Sequence, residues 1–128
     1  MIYLDTSVAL AHLLAEDRCP SPSMWDHPLV SSRLLEYEIW TRIHARKLAR
    51  SHAESVRLLI GRIALLELVP PVLERALEPF PCPVRTLDAL HLASIEFLRG
   101  HGQKVQLATY DQRLLAAARR MKISLARV

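Results

Sequence analysis

Short apolar segments of strand type alternate with longer helical segments along almost the whole sequence, and this alternation limits the possible folds more than any other feature. The strand-type segments lie at residues 1–4, 29–30, 66–69, 105–109 and 123–128. Between them, apolar residues recur every three or four positions, which is the spacing of a helix that packs one face on a core. Strands that alternate with helices predict a parallel sheet covered by helices on both faces.

The helical segments begin and end at residues that typically mark helix boundaries. The first follows Asp5, Thr6 and Ser7, and the fifth ends at Gly100. The sequence PFPCPV, at residues 79–84, is too rich in proline for a helix or a central strand and is predicted to be a connection. The spacing predicts helices over residues 8–14, 34–48, 56–64, 72–77, 87–98 and 111–118.

The composition is that of an ordinary globular domain, with 51% hydrophobic and 23% charged residues in 128. No linker or repeat divides the chain, so we expect a single domain over residues 1–128. No apolar run approaches the roughly 20 residues of a membrane span, and the start, MIYLDTS, lacks the basic segment of a signal peptide. These features predict a cytoplasmic protein, in which Cys19 and Cys82 are reduced.

The net charge of +4 suits a polyanionic partner, although many unrelated domains are equally basic. Two clusters of basic residues carry more information, because such clusters are typical of phosphate binding. Each is equally compatible with a solvated helix face. The clusters consist of Arg42, Arg46, Lys47 and Arg50, and of Arg113, Arg119, Arg120 and Lys122.

Acidic residues lie at the edges of the predicted elements. Asp5 and Asp111 each follow a strand, and the carboxyl ends of parallel strands are where such sheets bind ligands. If the two strands are neighbours, these carboxylates converge. Asp88 lies in the first turn of its helix and Glu38 within the long second helix. Oxygen ligands of this kind suit Mg²⁺ or Mn²⁺, which can activate a water and neutralise charge on a phosphate.

Each of these acids also has a purely structural interpretation. Asp5 and Asp111 are good N-cap residues for the helices that follow them. Asp88 is favoured by the positive end of its own helix dipole. The residues alone leave these alternatives open.

The glutamate of the second helix is ambiguous for a further reason. Glu38 can form an ion pair with Arg42 one turn away on a solvated face. Glu36 competes for the cleft position, and because the two glutamates point about 200° apart on a helix, only one can face a cleft. The adjacent apolar residues do not decide between them.

Taken together, four motifs resemble the PIN domain family, and within it the toxin ribonucleases of the VapC type. The motifs are LDTS at residues 4–7, SSRLLEYE at 31–38, RTLDALHLA at 85–93 and ATYDQRLLAAA at 108–118, so that the resemblance covers essentially the whole chain. It implies a three-layer α/β/α fold with a four- or five-stranded parallel sheet. It further implies an Mg²⁺- or Mn²⁺-dependent endoribonuclease that acts as the toxin component of a type II toxin–antitoxin system.

The resemblance also assigns roles to individual residues. It favours Glu38 over Glu36, because the glutamate of the family falls at the last position of SSRLLEYE. Thr6 and Thr109 match the hydroxyl residues beside the acids, where they can hold a metal-bound water or orient a carboxylate. The implied catalytic residues are Asp5, Glu38, Asp88 and Asp111, and of these Asp5, Asp88 and Asp111 are the implied metal ligands.

Two further positions are compared with the family pattern. His91 lies three residues after Asp88, but the family has a histidine here that is not a metal ligand, so we predict a structural role. The family often has glycine near the end of the last helix, where this chain has Arg120, Met121 and Lys122. That departure concerns a helix end and leaves the acidic residues intact.

The resemblance implies two protein partners besides an RNA substrate. The first is a second copy of the chain, and we expect apolar surface for a homodimer around Trp40, Ile43, Leu59 and Ile60. The second is a small antitoxin, whose basic side chain can replace the ion in an acidic cleft and whose amphipathic helix can dock beside the helix that carries Glu38. The aromatic candidates to stack on RNA bases are Trp25, Tyr37, Trp40 and Tyr110, although we expect at least half of them to pack in the core instead.

Other classes of protein fit the sequence less well. A phosphate-accepting receiver domain typically has paired acids after its first strand, whereas this chain has one, followed by threonine and serine. With only three glycines, the chain has neither a GxGxxG motif nor a P-loop. The remaining alternative is a catalytically inactive PIN-like domain that binds RNA or acts as a scaffold, and the complete set of acids argues against it.

Overall fold

A single parallel sheet forms the centre of the computed structural model, which describes residues 1–128. The sheet has five strands in the order β3-β2-β1-β4-β5. The strands are β1 Ile2–Leu4, β2 Leu29–Ser32, β3 Ile63–Leu66, β4 Gln106–Ala108 and β5 Ser124–Leu125. The helices are α1 Thr6–Leu13, α2 Leu34–Ala45, α3 Ala49–Gly61, α4 Pro70–Ala76, α5 Thr86–Gly100 and α6 Gln112–Arg120, with a short 3₁₀ helix at Pro22–Asp26.

Two apolar cores lie on opposite faces of this sheet. Because successive side chains of a strand point to opposite faces, Ile2 and Leu4 pack in one core while Tyr3 packs in the other. Helices α1, α2 and α3 contribute to the first core, and α5 and α6 contribute to the second. The predicted three-layer α/β/α architecture, with five strands, is therefore confirmed.

The strand order places the ends of β1 and β4 side by side. Leu4 is paired with Ala108, and the chain then continues into Asp5 and Thr109 at the same edge of the sheet. From β1 the sheet extends to β2 and β3 on one side and to β4 and β5 on the other. The strand order thus reverses between β1 and β4, which is where parallel sheets open a crevice for ligands.

The third strand begins three residues earlier than predicted. The sequence LELV at residues 66–69 was expected to form it, but the strand is Ile63–Leu66, and Ile63 pairs with Leu29. A short apolar run fits a helix and a strand equally well, and here pairing with β2 decides. Residues 67–69 instead lead into α4, whose first positions hold Pro70 and Pro71, since proline is well tolerated in a first helical turn.

The long helix predicted over residues 34–48 ends three residues early, and the helix after it begins earlier than predicted. Helix α2 stops at Ala45, and Lys47 adopts a positive φ of 55°, which a continuous right-handed helix does not allow. Leu48 precedes α3, which begins at Ala49, seven residues before the predicted start at Val56.

Two of the four residues expected at a homodimer surface are buried within the domain. Ile43 and Leu59 are buried in the first core, and Trp40 and Ile60 are partly buried against it. Of the expected surface, only the accessible parts of Trp40 and Ile60 are available to a second copy of the chain.

No helix of the protein combines the length and the apolar composition that a membrane span requires.

Candidate active site

Four acidic residues line one cleft at the carboxyl edge of the sheet, although they come from four different parts of the chain. The cleft has a volume of about 230 Å³. Asp5 follows β1, Glu38 lies in α2, Asp88 in the first turn of α5, and Asp111 precedes α6. The other residues that line it are Thr6, Ser7, Leu10, Arg42, Arg85, Leu87 and His91. The structure therefore brings the four acids named from the sequence into a single site.

Asp5 caps a helix and faces the cleft at the same time. Its Oδ2 accepts hydrogen bonds from the Ser7 amide at 3.3 Å, the Ser7 hydroxyl at 2.6 Å and the Thr109 hydroxyl at 2.7 Å. Its Oδ1 accepts none from the protein, so one carboxylate oxygen is left for a ligand. Ser7 was not singled out from the sequence, and its place as the last residue of the LDTS motif is the only local signal for it.

Asp111 has the same double arrangement at the start of α6. Its Oδ1 accepts from the amides of Arg113 at 2.8 Å and Leu114 at 3.2 Å, so that Oδ2 is the oxygen without a protein donor. Thr109 joins the two aspartates, because its hydroxyl donates to Asp5 and accepts from the Asp111 amide at 3.0 Å. The capping interpretation is therefore correct for both aspartates, and it does not exclude a role in the cleft.

Thr6, the other hydroxyl residue named from the sequence, behaves differently from Thr109. Thr6 lines the cleft, but its hydroxyl oxygen is buried and has no hydrogen-bond partner in the protein. A buried hydroxyl without a partner is unfavourable unless a ligand or water supplies one. Thr6 therefore gives no hydrogen bond to the carboxylates of the cleft, unlike Thr109.

The pKa of Asp88 is shifted by burial and by the other carboxylates of the cleft. Partial burial raises the pKa of its carboxyl above the ordinary value, and the negative charges of Asp111 and Asp5 raise this pKa further. The hydrogen bond from the Arg85 amide, at 3.3 Å, lowers this pKa and is second in size only to burial, and the charge of His91 lowers it slightly. A cation in the cleft would remove the repulsion that raises this pKa.

Glu38 faces the cleft and Glu36 does not. The Glu38 Oε1 accepts a hydrogen bond from the His91 Nε2 at 2.5 Å, and Glu38 has no ion pair with Arg42. Glu36 lies within 3.5 Å of the Arg33 guanidinium on the outer side of α2. The helix is thus rotated in the sense that favours Glu38.

His91 is buried between the sheet and Glu38, with both ring nitrogens engaged by protein groups. Its Nδ1 lies 2.7 Å from the Tyr3 hydroxyl. Burial alone would lower the pKa of His91, but the hydrogen bond and charge of Glu38, together with the charge of Asp5, outweigh it and raise this pKa. Burial also raises the pKa of the Tyr3 hydroxyl, which keeps it protonated. A histidine held on both sides is not free to bind a metal.

Two arginines stand at the rim of this acidic cleft. Arg42 of α2 and Arg85, which precedes α5, both line it and are exposed, and neither belongs to an ion pair. Positive charge next to a carboxylate cluster is suited to an anionic ligand that lies across the cleft. Arg85 was not named as a site residue from the sequence.

The oxygen ligands in the cleft suit a hard divalent cation that keeps several of its own waters. All four acids supply oxygen, and no sulfur or free imidazole nitrogen is present among the lining residues. The carboxylates do not form a closed cage, because no group of three or more His, Cys, Asp or Glu side chains is close enough to coordinate one ion. Mg²⁺ and similar ions are commonly held in this open manner.

Fold and cleft together define a class of protein: a three-layer α/β/α domain with carboxylates at the switch point of a parallel sheet. Comparison with known proteins identifies the family. The model of the PIN domain matches residues 2–121. The chain belongs to the PIN domain family and is of the VapC type.

A relative supports this assignment, and two solved structures share the fold. The chain is 30% identical to Ribonuclease VapC47 of Mycobacterium tuberculosis over 126 residues, which cover 93% of this chain and 90% of that protein. VapC20 of M. tuberculosis, described as a Sarcin-Ricin loop cleaving toxin, has a similar fold, with a TM-score of 0.74 at 19% identity over 100% of both chains. A toxin-antitoxin complex from Klebsiella pneumoniae contains a chain with a TM-score of 0.65 at 13% identity over 91% of each chain.

Proposed function

We propose that this protein is an Mg²⁺- or Mn²⁺-dependent endoribonuclease that hydrolyses RNA phosphodiester bonds and is the toxin component of a type II toxin–antitoxin system. The observation that carries the proposal is the convergence of four carboxylates from distant parts of the chain in one cleft. The similarity to a ribonuclease of the VapC type supports the choice of RNA as the substrate. An inactive scaffold domain would have no need of the complete acidic set.

The cleft residues have different roles in this reaction. Asp5, Asp88 and Asp111 would hold the ion and its waters, and Glu38 would complete the site. Thr109 and Ser7 fix the orientation of Asp5 through their hydrogen bonds. When bound, the ion supplies a water of lowered pKa and neutralises the negative charge that develops on the phosphate.

Residues around the cleft would bind the RNA itself. Arg42 and Arg85 at the rim attract the phosphates on either side of the scissile bond. Of the four aromatic residues considered for base stacking, only Tyr37 is largely exposed, with 64% of its surface accessible, and it directly precedes Glu38. Trp25, Trp40 and Tyr110 pack against the first core, which favours a structural role for them.

The decisive experiment replaces one carboxylate and leaves its shape unchanged. We expect Asp5→Asn to abolish RNA cleavage with the fold intact, because the amide keeps the capping geometry but removes the charge that binds the ion. EDTA should have the same effect reversibly. Glu36→Gln is the matched control on the outer side of α2, and its activity should equal that of the unaltered protein. Cleavage by Asp5→Asn at the unaltered rate would contradict the mechanism.

An antitoxin is the partner that the cleft and its surroundings favour. Next to the acidic cleft lies an apolar groove of about 610 Å³, lined by Leu73, Leu77, Phe80 and Val84 among others, and Arg85 lines both. A carboxyl-terminal antitoxin tail with apolar residues and one Arg or Lys would fill the groove and place its cation in the cleft. This groove lies between α4 and α5, whereas the docking site expected from the sequence is beside α2.

Expression of the protein in cells tests the toxin role separately from the nuclease activity. We expect the chain alone to arrest growth, and co-expression of the short open reading frame next to its gene to restore growth. Leu77→Arg, in the groove, should remain toxic but lose the protection. If the chain is harmless at high level while the purified protein cleaves RNA with metal, the toxin role fails and the nuclease role stands.

A homodimer is the assembly we propose for the toxin, as in the family that the chain resembles. Two-fold symmetry is the usual arrangement of such dimers and would place two acidic clefts in one particle. Light scattering at working concentration, with and without Mg²⁺, should give the mass of two chains. A monomer under both conditions would contradict this assembly.

A further inference from the structure

A chain of buried hydrogen bonds connects the sheet to Glu38 through two side chains that the proposed reaction does not use. The Ser32 amide donates to the Tyr3 hydroxyl at 3.1 Å, this hydroxyl lies 2.7 Å from His91 Nδ1, and His91 Nε2 lies 2.5 Å from Glu38 Oε1. Tyr3 is fully buried and His91 is 1% exposed. This series of hydrogen bonds thus connects β2, β1, α5 and α2, in that order.

The hydrogen bond to Glu38 has one direction. An ionised carboxylate only accepts, so His91 Nε2 must carry the hydrogen that it donates to Glu38. At Nδ1 the Tyr3 hydroxyl donates to a neutral ring and accepts from a protonated one, and in both cases its oxygen also accepts from the Ser32 amide. Every polar group along this buried path therefore has a partner, and the imidazole is fixed in one orientation.

Glu38 depends on this contact more than the other acids depend on theirs. Asp5, Asp88 and Asp111 have short side chains, and each accepts a hydrogen bond from a backbone amide close in sequence. Glu38 has one more rotatable bond and accepts no hydrogen bond from the backbone; His91 is its one partner within the protein. Its Oε2 is left without a protein donor.

We propose that His91 is a positioning residue, held by Tyr3, that fixes the Glu38 carboxylate with Oε1 bound and Oε2 directed to the metal and water of the cleft. The two residues are well placed in the sequence for this task. Tyr3 lies two residues before Asp5 and His91 lies one helical turn after Asp88, so the elements that carry two of the acids also carry the support of a third. The inference rests on the proposed catalytic role of Glu38.

Three substitutions separate positioning from simple packing. His91→Leu removes the donor to Glu38, whereas His91→Gln retains an amide N–H near the place of Nε2. Tyr3→Phe keeps the ring and removes only the hydroxyl that holds Nδ1. His101→Leu, at the exposed end of the same helix, is the control. We expect His91→Leu to lower both the cleavage rate and the Mn²⁺ affinity about 10-fold or more, as for other groups that orient ligands.

The conservative variants should recover much of that loss. We expect His91→Gln to restore most of the rate and affinity, and Tyr3→Phe to lose less than His91→Leu. Mn²⁺ affinity is measured by electron paramagnetic resonance without RNA, so that it does not depend on catalysis. In a Glu38→Gln background, His91→Leu should cause no further loss, because its effect passes through the carboxylate.

The hydrogen bond itself has a spectroscopic signature. In the ¹⁵N-labelled protein, the His91 Nε2 proton should resonate downfield and move upfield in Glu38→Gln, because its charged acceptor is lost. An unchanged resonance, equal losses in His91→Leu and His91→Gln, or an additive loss in the Glu38→Gln background would each overturn the positioning role. Absence of metal-dependent cleavage by the unaltered protein would instead overturn the proposed function, while the resonance would still test the contact.

Discussion

Two aspartates in the cleft serve the fold and the proposed chemistry with different oxygens. Asp5 uses Oδ2 and Asp111 uses Oδ1 to cap α1 and α6, and the second oxygen of each has no protein donor. The same hydrogen bonds that cap the helices also hold these carboxylates in place at the cleft. An aspartate at the N-terminus of a helix can therefore cap the helix and bind a ligand at the same time. The sequence alone does not separate these two roles.

Thr109 is the residue whose loss should disturb both aspartates at once. Thr109→Val keeps the shape of the side chain but removes the hydroxyl that donates to Asp5 and accepts from the Asp111 amide. We expect Mn²⁺ affinity to fall about 10-fold, because the ligands lose their common support. Thr109→Ser, which restores the hydroxyl, should bind almost as the unaltered protein does in a Mn²⁺ titration. Unchanged affinity in Thr109→Val would show that Asp5 needs no such support.

Asp88 should make the metal-free protein less stable as pH rises. Its pKa is raised in the folded state, mainly by burial and then by Asp111 and Asp5, so the folded protein holds this proton more tightly than the unfolded chain does. The stability that this group contributes is therefore complete below the unfolded pKa of about 4 and is lost as pH rises through the folded pKa.

The matching variant isolates this effect from other titrating groups. Asp88→Asn should remove it, so that urea unfolding in EDTA becomes less dependent on pH between 4 and 7. Added Mg²⁺ should stabilise the unaltered protein at pH 7 and leave Asp88→Asn almost unchanged. Identical pH dependence of the two proteins in EDTA would contradict the raised pKa of Asp88.

At the level of elements, α6 ends in a geometry that suits glycine better than the residue present. The Ile123 amide donates to the Ala118 carbonyl and the Lys122 amide to the Arg119 carbonyl, which is the Schellman pattern. Lys122 stands at the position that needs left-handed backbone, with φ of 56°. The departure from the family pattern at Arg120, Met121 and Lys122 therefore changes the energy of a helix end and not its shape.

Lys122→Gly should make the protein more stable. Glycine removes the steric penalty of the left-handed conformation, and its greater freedom in the unfolded chain offsets part of that gain, so we expect about 0.5–1 kcal/mol. Lys122→Ala is the control, since it removes the lysine chain and keeps the Cβ, and it should give no such gain. Urea unfolding measures both. Equal stabilities of the two variants would show that the backbone conformation costs little.

Over the whole molecule, the two basic clusters differ in their relation to the cleft. The cluster of Arg42, Arg46, Lys47 and Arg50 begins at the rim, because Arg42 lines the cleft, and all four of its residues are exposed. In the cluster on α6, the Arg120 guanidinium donates to the Pro81 carbonyl at 3.0 Å and is already engaged. We therefore assign RNA backbone binding to the first cluster.

Salt dependence of RNA binding tests this assignment. In Asp5→Asn protein, which should bind without cleaving, replacing Arg46, Lys47 and Arg50 by Gln should reduce the slope of log affinity against log salt by about 0.7 for each lost phosphate contact to single-stranded RNA. The same change at Arg113, Arg119 and Lys122 should reduce it less. Fluorescence anisotropy across a KCl series provides the slopes, and equal reductions would contradict the assignment.

Local sequence was sufficient for the class of fold and for the identity of the acids. Apolar spacing is a property of neighbouring residues, and it correctly predicted β1, β4 and the start of α6 at Asp111. It failed where neighbours favour two structures equally, as at Ile63–Leu66, which pairing with β2 makes a strand. The acids could be named because Asp after a strand, and the family motifs, are visible in the chain itself.

Tertiary structure alone decided which distant groups meet. The adjacency of β1 and β4, which brings Asp5 beside Thr109 and Asp111, depends on strand order in the sheet. The contact between His91 and Glu38 joins residues 53 positions apart, and no local spacing signals it. Helix and turn preferences act over a few residues, whereas these contacts depend on how whole elements pack their apolar faces. The sequence therefore determined the parts of the site, and packing determined their geometry.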